Sequence, residues 1–136
     1  MFALFVPFVP VVAAAVAHVI VGYLWYHPRV FGRAWTRLAN ISPEIAERGN
    51  KHMPLFTLAA FAAALVVAYV LHMITAALGI LTLGESLELA TALWFGFVAP
   101  VLLGSVLWEH KPLKLYCINA GYWLASLVVM SVVLLL

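Results

Sequence analysis

Residues 54–80 read PLFTLAAFAAALVVAYVLHMITAALGI and contain no Asp, Glu, Lys or Arg. A helix that crosses a bilayer needs about 20 mostly apolar residues, and this run supplies them. Hydrocarbon offers no water to backbone N–H and C=O groups, so a single crossing segment must satisfy them internally as a helix. The many valines would favour strands in water, but in lipid that preference yields to backbone satisfaction.

Three further stretches follow the same pattern. One covers about 2–26 without a formal charge. Another covers about 87–108, with Glu88 at its edge, and the last covers about 113–136, with Lys114 at its entrance. Ala15-Val16-Ala17 resembles a signal-cleavage site, but there is no basic segment before it and the apolar run is too long. The first stretch therefore reads as a retained span. The sequence predicts an all-α polytopic membrane protein with one transmembrane domain over 1–136. Its architecture is a four-transmembrane-helix bundle, with a short in-plane amphipathic helix between helices 1 and 2.

Composition agrees. Of the 136 residues, 67% are apolar and 9% charged, against roughly 25% charged in a soluble domain. This excludes a soluble enzyme of ordinary surface, and also a disordered chain, which needs low hydrophobicity and high charge. A net charge of +2 is too weak for a nucleic-acid binder. Cys117 is the single cysteine, so neither an internal disulfide nor a cysteine-cluster metal site is expected. The chain has no Asp, no P-loop, no G-x-S-x-G and no H-E-x-x-H. No cofactor and no enzymatic activity are expected. Glu109-His110, beside Lys111, reads as a solvated hairpin turn.

Basic residues orient the spans. Arg29, Arg33, Arg37, Arg48 and Lys51 lie between the first and second, and Lys111 and Lys114 flank the turn between the third and fourth. The second-to-third loop carries only Glu85 and Glu88. The positive-inside rule makes connections 27–53 and 108–113 cytoplasmic and puts both termini outside. Trp25, Tyr26, Trp35, Trp108 and Tyr116 then gather on the cytoplasmic side as an interfacial aromatic belt.

The long connection at 27–53 carries two signals. Val30, Phe31, Ala34, Trp35 and Leu38 fit one helical face, while Arg29, Arg33 and Arg37 recur at i, i+4 and i+8 as a basic stripe. A helix lying in the membrane plane has this pattern. The stripe serves as an anchor on anionic headgroups or, in the sharper reading, as a site for a phosphate or carboxylate ligand. Pro43–Arg48 reads as a second short helix. Ser42 is its N-cap, Pro43 sits in the first helical position, Glu44 is in the first turn, and Gly49 closes it.

Ionisable side chains at membrane depth are the default functional candidates. At 1.5 Å per residue, His18 lies roughly 6 Å to the cytoplasmic side of centre and Asn119 roughly 8–9 Å. The two meet if the first and fourth helices pack together. His72 lies roughly 7–8 Å the other way, with Tyr69 one turn before it. His18 and His72 are then about 13–15 Å apart in depth and cannot share a metal ion. His18, His72, Tyr69 and Asn119 read either as interhelical hydrogen-bonding groups or as stations along a polar path. Gly96, Pro100 and Gly104, at i, i+4 and i+8, predict close helix packing, with Pro100 a source of a kink. Cys117, Gly121 and Ala125 form a similar strip.

Gly22-Tyr23-Leu24-Trp25-Tyr26 followed by Phe31-Gly32-Arg33-Ala34-Trp35 resembles the G-x-x-W-Y and F-G-K/R-x-W signature of the family known as domain of unknown function 1761. The stretch Trp94-Phe95-Gly96-Phe97-Val98, then Pro100, Leu107-Trp108-Glu109, Lys111-Pro112 and Ile118-Asn119-Ala120-Gly121-Tyr122, is similar to that family's W-x-G-F, L-W-E, K-P and N-x-G-Y region. The resemblance covers nearly the whole chain. The matching residues include Trp25, Tyr26, Phe31, Gly32, Trp35, Gly96, Asn119 and Tyr122; His18 and His72 are not among them. The resemblance implies a small bacterial-type four-helix integral membrane protein and no particular activity.

Taken together, these features predict a non-enzymatic component of a bacterial inner membrane. Its expected partners are lipids with anionic headgroups at the cytoplasmic face, and copies of itself or another membrane subunit. The alternative is an oligomeric small channel or transporter with His18, His72, Tyr69 and Asn119 as its polar path.

Overall fold

A computed structural model describes residues 7–136. The part of the first expected helix at 2–6 lies outside the described residues. Among those described, the chain is helical and contains four helices long and apolar enough to cross a membrane. They are α1 (Phe8–Trp25), α4 (Met53–Ala77), a third span over Leu83–Leu107, and α8 (Leu113–Leu135). The 18 residues of α1 rise about 27 Å, close to the hydrocarbon thickness of about 30 Å.

α1 packs on both α4 and α8, α8 in turn packs on the third span, and α4 also touches α8. The core cluster joins Val11 and Ala14 of α1, Ala68 and Leu71 of α4, Ala90 of the third span, and Leu127 and Met130 of α8. Ala14, Ala15, Ala68 and Ala90 are fully buried. Lipid tails are as apolar as the helices, so association depends on close packing rather than on expulsion of water. Alanine at the crossings permits that approach.

The third span departs most from a regular helix. It begins at Leu83, four residues before the expected start at 87, because Thr82 and Glu85 form a capping box. Thr82 Oγ1 accepts from the Glu85 N–H at 3.3 Å, and Glu85 Oε2 accepts from the Thr82 N–H at 3.1 Å. α5 (Leu83–Leu93) passes into a π-helical stretch at Trp94–Val98, then α6 (Ala99–Leu102) and α7 (Gly104–Leu107). Pro100 lacks an N–H and crowds the carbonyl four residues back. The wider π stretch lies directly before it and accommodates both effects.

Gly96 and Pro100 are exposed, and a methyl group at Gly96 would touch nothing within 4 Å. Gly104 is half-buried, with the Trp108 side chain nearest to a methyl group placed there. The stretches that carry these residues run beside α8. Cys117 is exposed as well, so it is not the packing residue expected from its neighbours. At the other end of the bundle α4 stops at Ala77, and Gly79 takes a positive φ of 67° that suits glycine.

The connection forms a π turn at Pro28–Gly32, then α2 (Arg33–Leu38) and α3 (Pro43–Lys51). Ser42 caps α3 by accepting from the Ile45 N–H. Gly49 does not close that helix; it lies inside it, and α3 continues to Lys51 before α4 starts at Met53.

The alanine crossings generate a prediction. Ala68→Leu inserts three carbons where none fit and should lower stability by about 1–3 kcal/mol. Thermal unfolding in detergent would measure the loss, with the exposed Ala62→Leu as a control that leaves the midpoint unchanged.

Candidate functional site

The α1–α8 contact is pinned by polar groups that have no other partners in lipid. His18 Nδ1 is hydrogen-bonded to Ser126 Oγ and His18 Nε2 to the Tyr122 hydroxyl at 2.9 Å; each hydroxyl can donate or accept, and the ring tautomer sets which. Ser126 Oγ also lies 3.8 Å from Met130 Sδ. The result is a chain of contacts, Tyr122, His18, Ser126 and Met130, around a buried imidazole. His18 also lies against the rings of Tyr122 and Trp123, with centroids at 5.4 and 5.1 Å.

One turn nearer the connection, Tyr26 donates to Asn119 Oδ1 at 2.7 Å. The Tyr26 ring meets Tyr122 edge-on at 5.1 Å and Trp35 at 5.8 Å, an arrangement aromatic rings favour. Trp25 donates its indole N–H to the Ile118 carbonyl at 3.0 Å and stacks on Phe31 at 4.7 Å. Glycines let these groups in. A Cβ at Gly121 would lie 3.0 Å from the Trp25 ring, and one at Gly22 would lie 3.1 Å from the Tyr122 hydroxyl. From the third span, Trp94 donates to the Ala120 carbonyl at 2.7 Å.

Gly32 closes the turn that brings α2 over this joint. Its N–H reaches the His27 carbonyl five residues back at 3.0 Å, the π pattern. A Cβ there would approach the Tyr26 carbonyl oxygen to 2.2 Å. That turn also splits the basic stripe, since five residues per bonded loop break the i, i+4, i+8 register. Arg33 and Arg37 line a cavity of about 1250 Å³, whereas Arg29 does not. The cavity lies between α2, α3, the start of α4 and the Tyr26–Asn119 pair, with Trp35, Ile45, Met53 and Phe56 as apolar walls. Its lining holds two guanidinium groups and no carboxylate, histidine or cysteine. Its hydroxyls are engaged locally: Thr36 donates to the Gly32 carbonyl at 2.8 Å and Ser42 caps α3.

The structure thus sorts the residues singled out in the sequence. Trp25, Tyr26, Phe31, Gly32, Trp35, Asn119 and Tyr122 come together in one joint; Gly96 stands apart. His18 and Asn119 are linked, though indirectly, through Tyr122 and Tyr26. His72 and Tyr69 are half-buried on α4, form no side-chain hydrogen bond among the described residues, and do not join the chain. The hydrogen bonds of the joint take in His18 and Asn119 and do not extend to His72 or Tyr69 among the described residues. Of the aromatic residues expected at the interface, Trp25, Tyr26 and Trp35 are built into the joint, Tyr116 bonds the Ala99 carbonyl at 3.0 Å, and Trp108 is exposed at 81%. Ser126 and Gly121 are central to the joint; the i, i+4 pair Tyr122 and Ser126, facing the i, i+4 pair His18 and Gly22, was the available signal. Among the described residues, no group of three or more His, Cys, Asp or Glu side chains is gathered for a metal.

Gly32→Ala should lower stability by about 2 kcal/mol or more, since the backbone atoms it strikes cannot yield without opening the turn. The same measurement on Gly49→Ala, where a Cβ meets nothing within 4 Å, should show no loss.

Comparison with curated proteins and with solved structures gives no match to this chain. A family model described as a protein of unknown function (DUF1761) matches residues 9–135. That match takes in α1, the joint, the cavity and α8, and the chain belongs to the DUF1761 family.

Proposed function

We propose that the protein is a non-enzymatic membrane component whose working part is the cavity beside the α1–α8 joint, and that this cavity holds the head of an anionic amphiphile drawn from the bilayer. The observation that carries this reading is the lining itself. Arg33 and Arg37 supply two guanidinium forks, no acid offsets them, and the remaining walls are largely apolar. Arg is suited to planar recognition of phosphate and carboxylate. Phe56, on a span, is exposed beside the cavity, so an acyl chain leaving it has an apolar surface to follow.

Two further features support the absence of catalysis and of transport. The lining has no general base or nucleophile of the usual kinds, and its hydroxyls are bonded to backbone groups. His18 has both ring nitrogens bonded to groups on α8, which fits interhelical bonding better than a relay. By the positive-inside rule the cavity faces the cytoplasm and α2 lies along the membrane plane. A bacterial inner membrane is the setting in which we read it. The outer face of the third span, with Phe95 and Phe97 at 73% exposure, meets lipid or a neighbouring subunit.

Native mass spectrometry of protein released from nanodiscs of mixed phosphatidylcholine and anionic lipid tests this. The wild type should retain anionic lipid, and Arg33→Gln with Arg37→Gln should lose most of it at unchanged thermal midpoint. Equal retention by the double variant would sink the proposal.

A further inference from the structure

The cavity says more about its occupant than the sign of its charge. We infer that the preferred ligand carries a terminal phosphomonoester, a dianionic head on an acyl-bearing body. This rests on the reading of the cavity as a site for an anionic amphiphile and narrows it to one head-group chemistry.

Charge balance favours a dianionic head. Arg33 and Arg37 both line the cavity, and Glu44 and Glu47 of the neighbouring α3 do not. Both arginines are exposed, so two solvated cations line the cavity with no lining acid to offset them. A phosphodiester head brings one negative charge and answers one of the two. A phosphomonoester brings about −1.5 to −2 at neutral pH and answers both arginines.

Donor geometry favours the same head. The two arginines are one helical turn apart on α2, about 6 Å along its axis, and so approach a single head from adjacent positions. A third donor comes from a different element. Tyr26 donates to Asn119 Oδ1, which fixes the amide so that its NH2 is the free end. That NH2 has no partner among the described residues, and Asn119 lines the cavity. A phosphomonoester presents three unsubstituted oxygens to these three groups, whereas a diester presents two. The Tyr26–Asn119 bond is then the device that aims the amide, and Tyr26 is a positioning residue.

Size favours an acyl-bearing body. About 1250 Å³ exceeds the roughly 300–1000 Å³ of usual small-molecule pockets. Trp35, Ile41, Ile45, Met53 and Phe56 line it. A free phosphate ion would leave that apolar wall uncovered, and an acyl-bearing molecule would cover it.

The experiment compares lipids rather than variants first, so that folding is not in question. Full-length protein in nanodiscs of phosphatidylcholine is titrated with short-chain phosphatidic acid, with phosphatidylglycerol, and with inorganic phosphate, and lipid occupancy is read by native mass spectrometry. We expect phosphatidic acid to bind about tenfold more tightly than phosphatidylglycerol, the order set by one additional charge-assisted hydrogen bond. Inorganic phosphate should bind far more weakly than either. Arg33→Gln should erase the preference, and Arg29→Gln, outside the cavity, should keep it. Tyr26→Phe should reduce it, because Asn119 is no longer aimed. Equal binding of the two lipids would overturn the phosphomonoester assignment while leaving the anionic-amphiphile reading intact. Binding of neither would overturn both. Phosphate binding as tight as phosphatidic acid would assign the site to a free ion and remove the role given to the apolar wall.

Discussion

His18 is held from both sides by α8, through Tyr122 on one ring nitrogen and Ser126 on the other, and much of the molecule depends on that grip. A polar side chain inside hydrocarbon has two choices, a partner or a penalty. Once His18 is placed on α1, its partners must come from a neighbouring helix, and the neighbour is thereby fixed in rotation and in depth. Tyr122 and Ser126 are four residues apart, so both lie on one face of α8. With that face turned toward α1, Asn119 is brought to Tyr26 and Gly121 to Trp25. Individual interhelical hydrogen bonds contribute modestly, about 0.6 kcal/mol on average. Their larger effect here is to select one register among several that alanine packing alone would permit.

The cavity is a product of that register. Tyr26 reaches Asn119 only because α1 and α8 are in step, and the Tyr26 carbonyl can be crowded by the next turn only because Gly32 has no side chain. The π turn then sets α2 so that Arg33 and Arg37, and not Arg29, line the cavity. A change of one residue in the turn alters which cations line the cavity. The site is thus a consequence of backbone geometry as much as of charge.

Much of the fold was legible in the sequence, since an uncharged apolar run of bilayer length has few alternatives. The run 54–80 and the observed Met53–Ala77 differ by a few residues at one end, where Gly79 ends the helix. The Thr82–Glu85 box was less legible because Glu85 looked like a loop acid. The motif residues Trp25, Tyr26, Gly32, Asn119 and Tyr122 proved to be neighbours, but nothing in periodicity said that α1 and α8 would be the central pair. Helix rotation in a bilayer depends on packing partners, and spans with charges only near their ends give little hint of them. The same limitation applies to Gly96, Pro100 and Gly104. Their spacing is right for close approach, but spacing cannot say which helix approaches. His72 misled for a related reason: depth was calculable and azimuth was not.

The pairing of α1 with α8 also sets a timetable. The two ring nitrogens of His18 find partners 104 and 108 residues further along the chain. At synthesis rates of about 5–20 residues per second, the first helix waits on the order of 5–20 s before the last one exists. During that interval α1 must sit in or beside the insertion machinery with an imidazole, a phenol and an indole still without their final partners. Any protein that shields nascent spans has a reason to hold this one. A chain that stalls before residue 126 lacks the serine that meets His18 Nδ1.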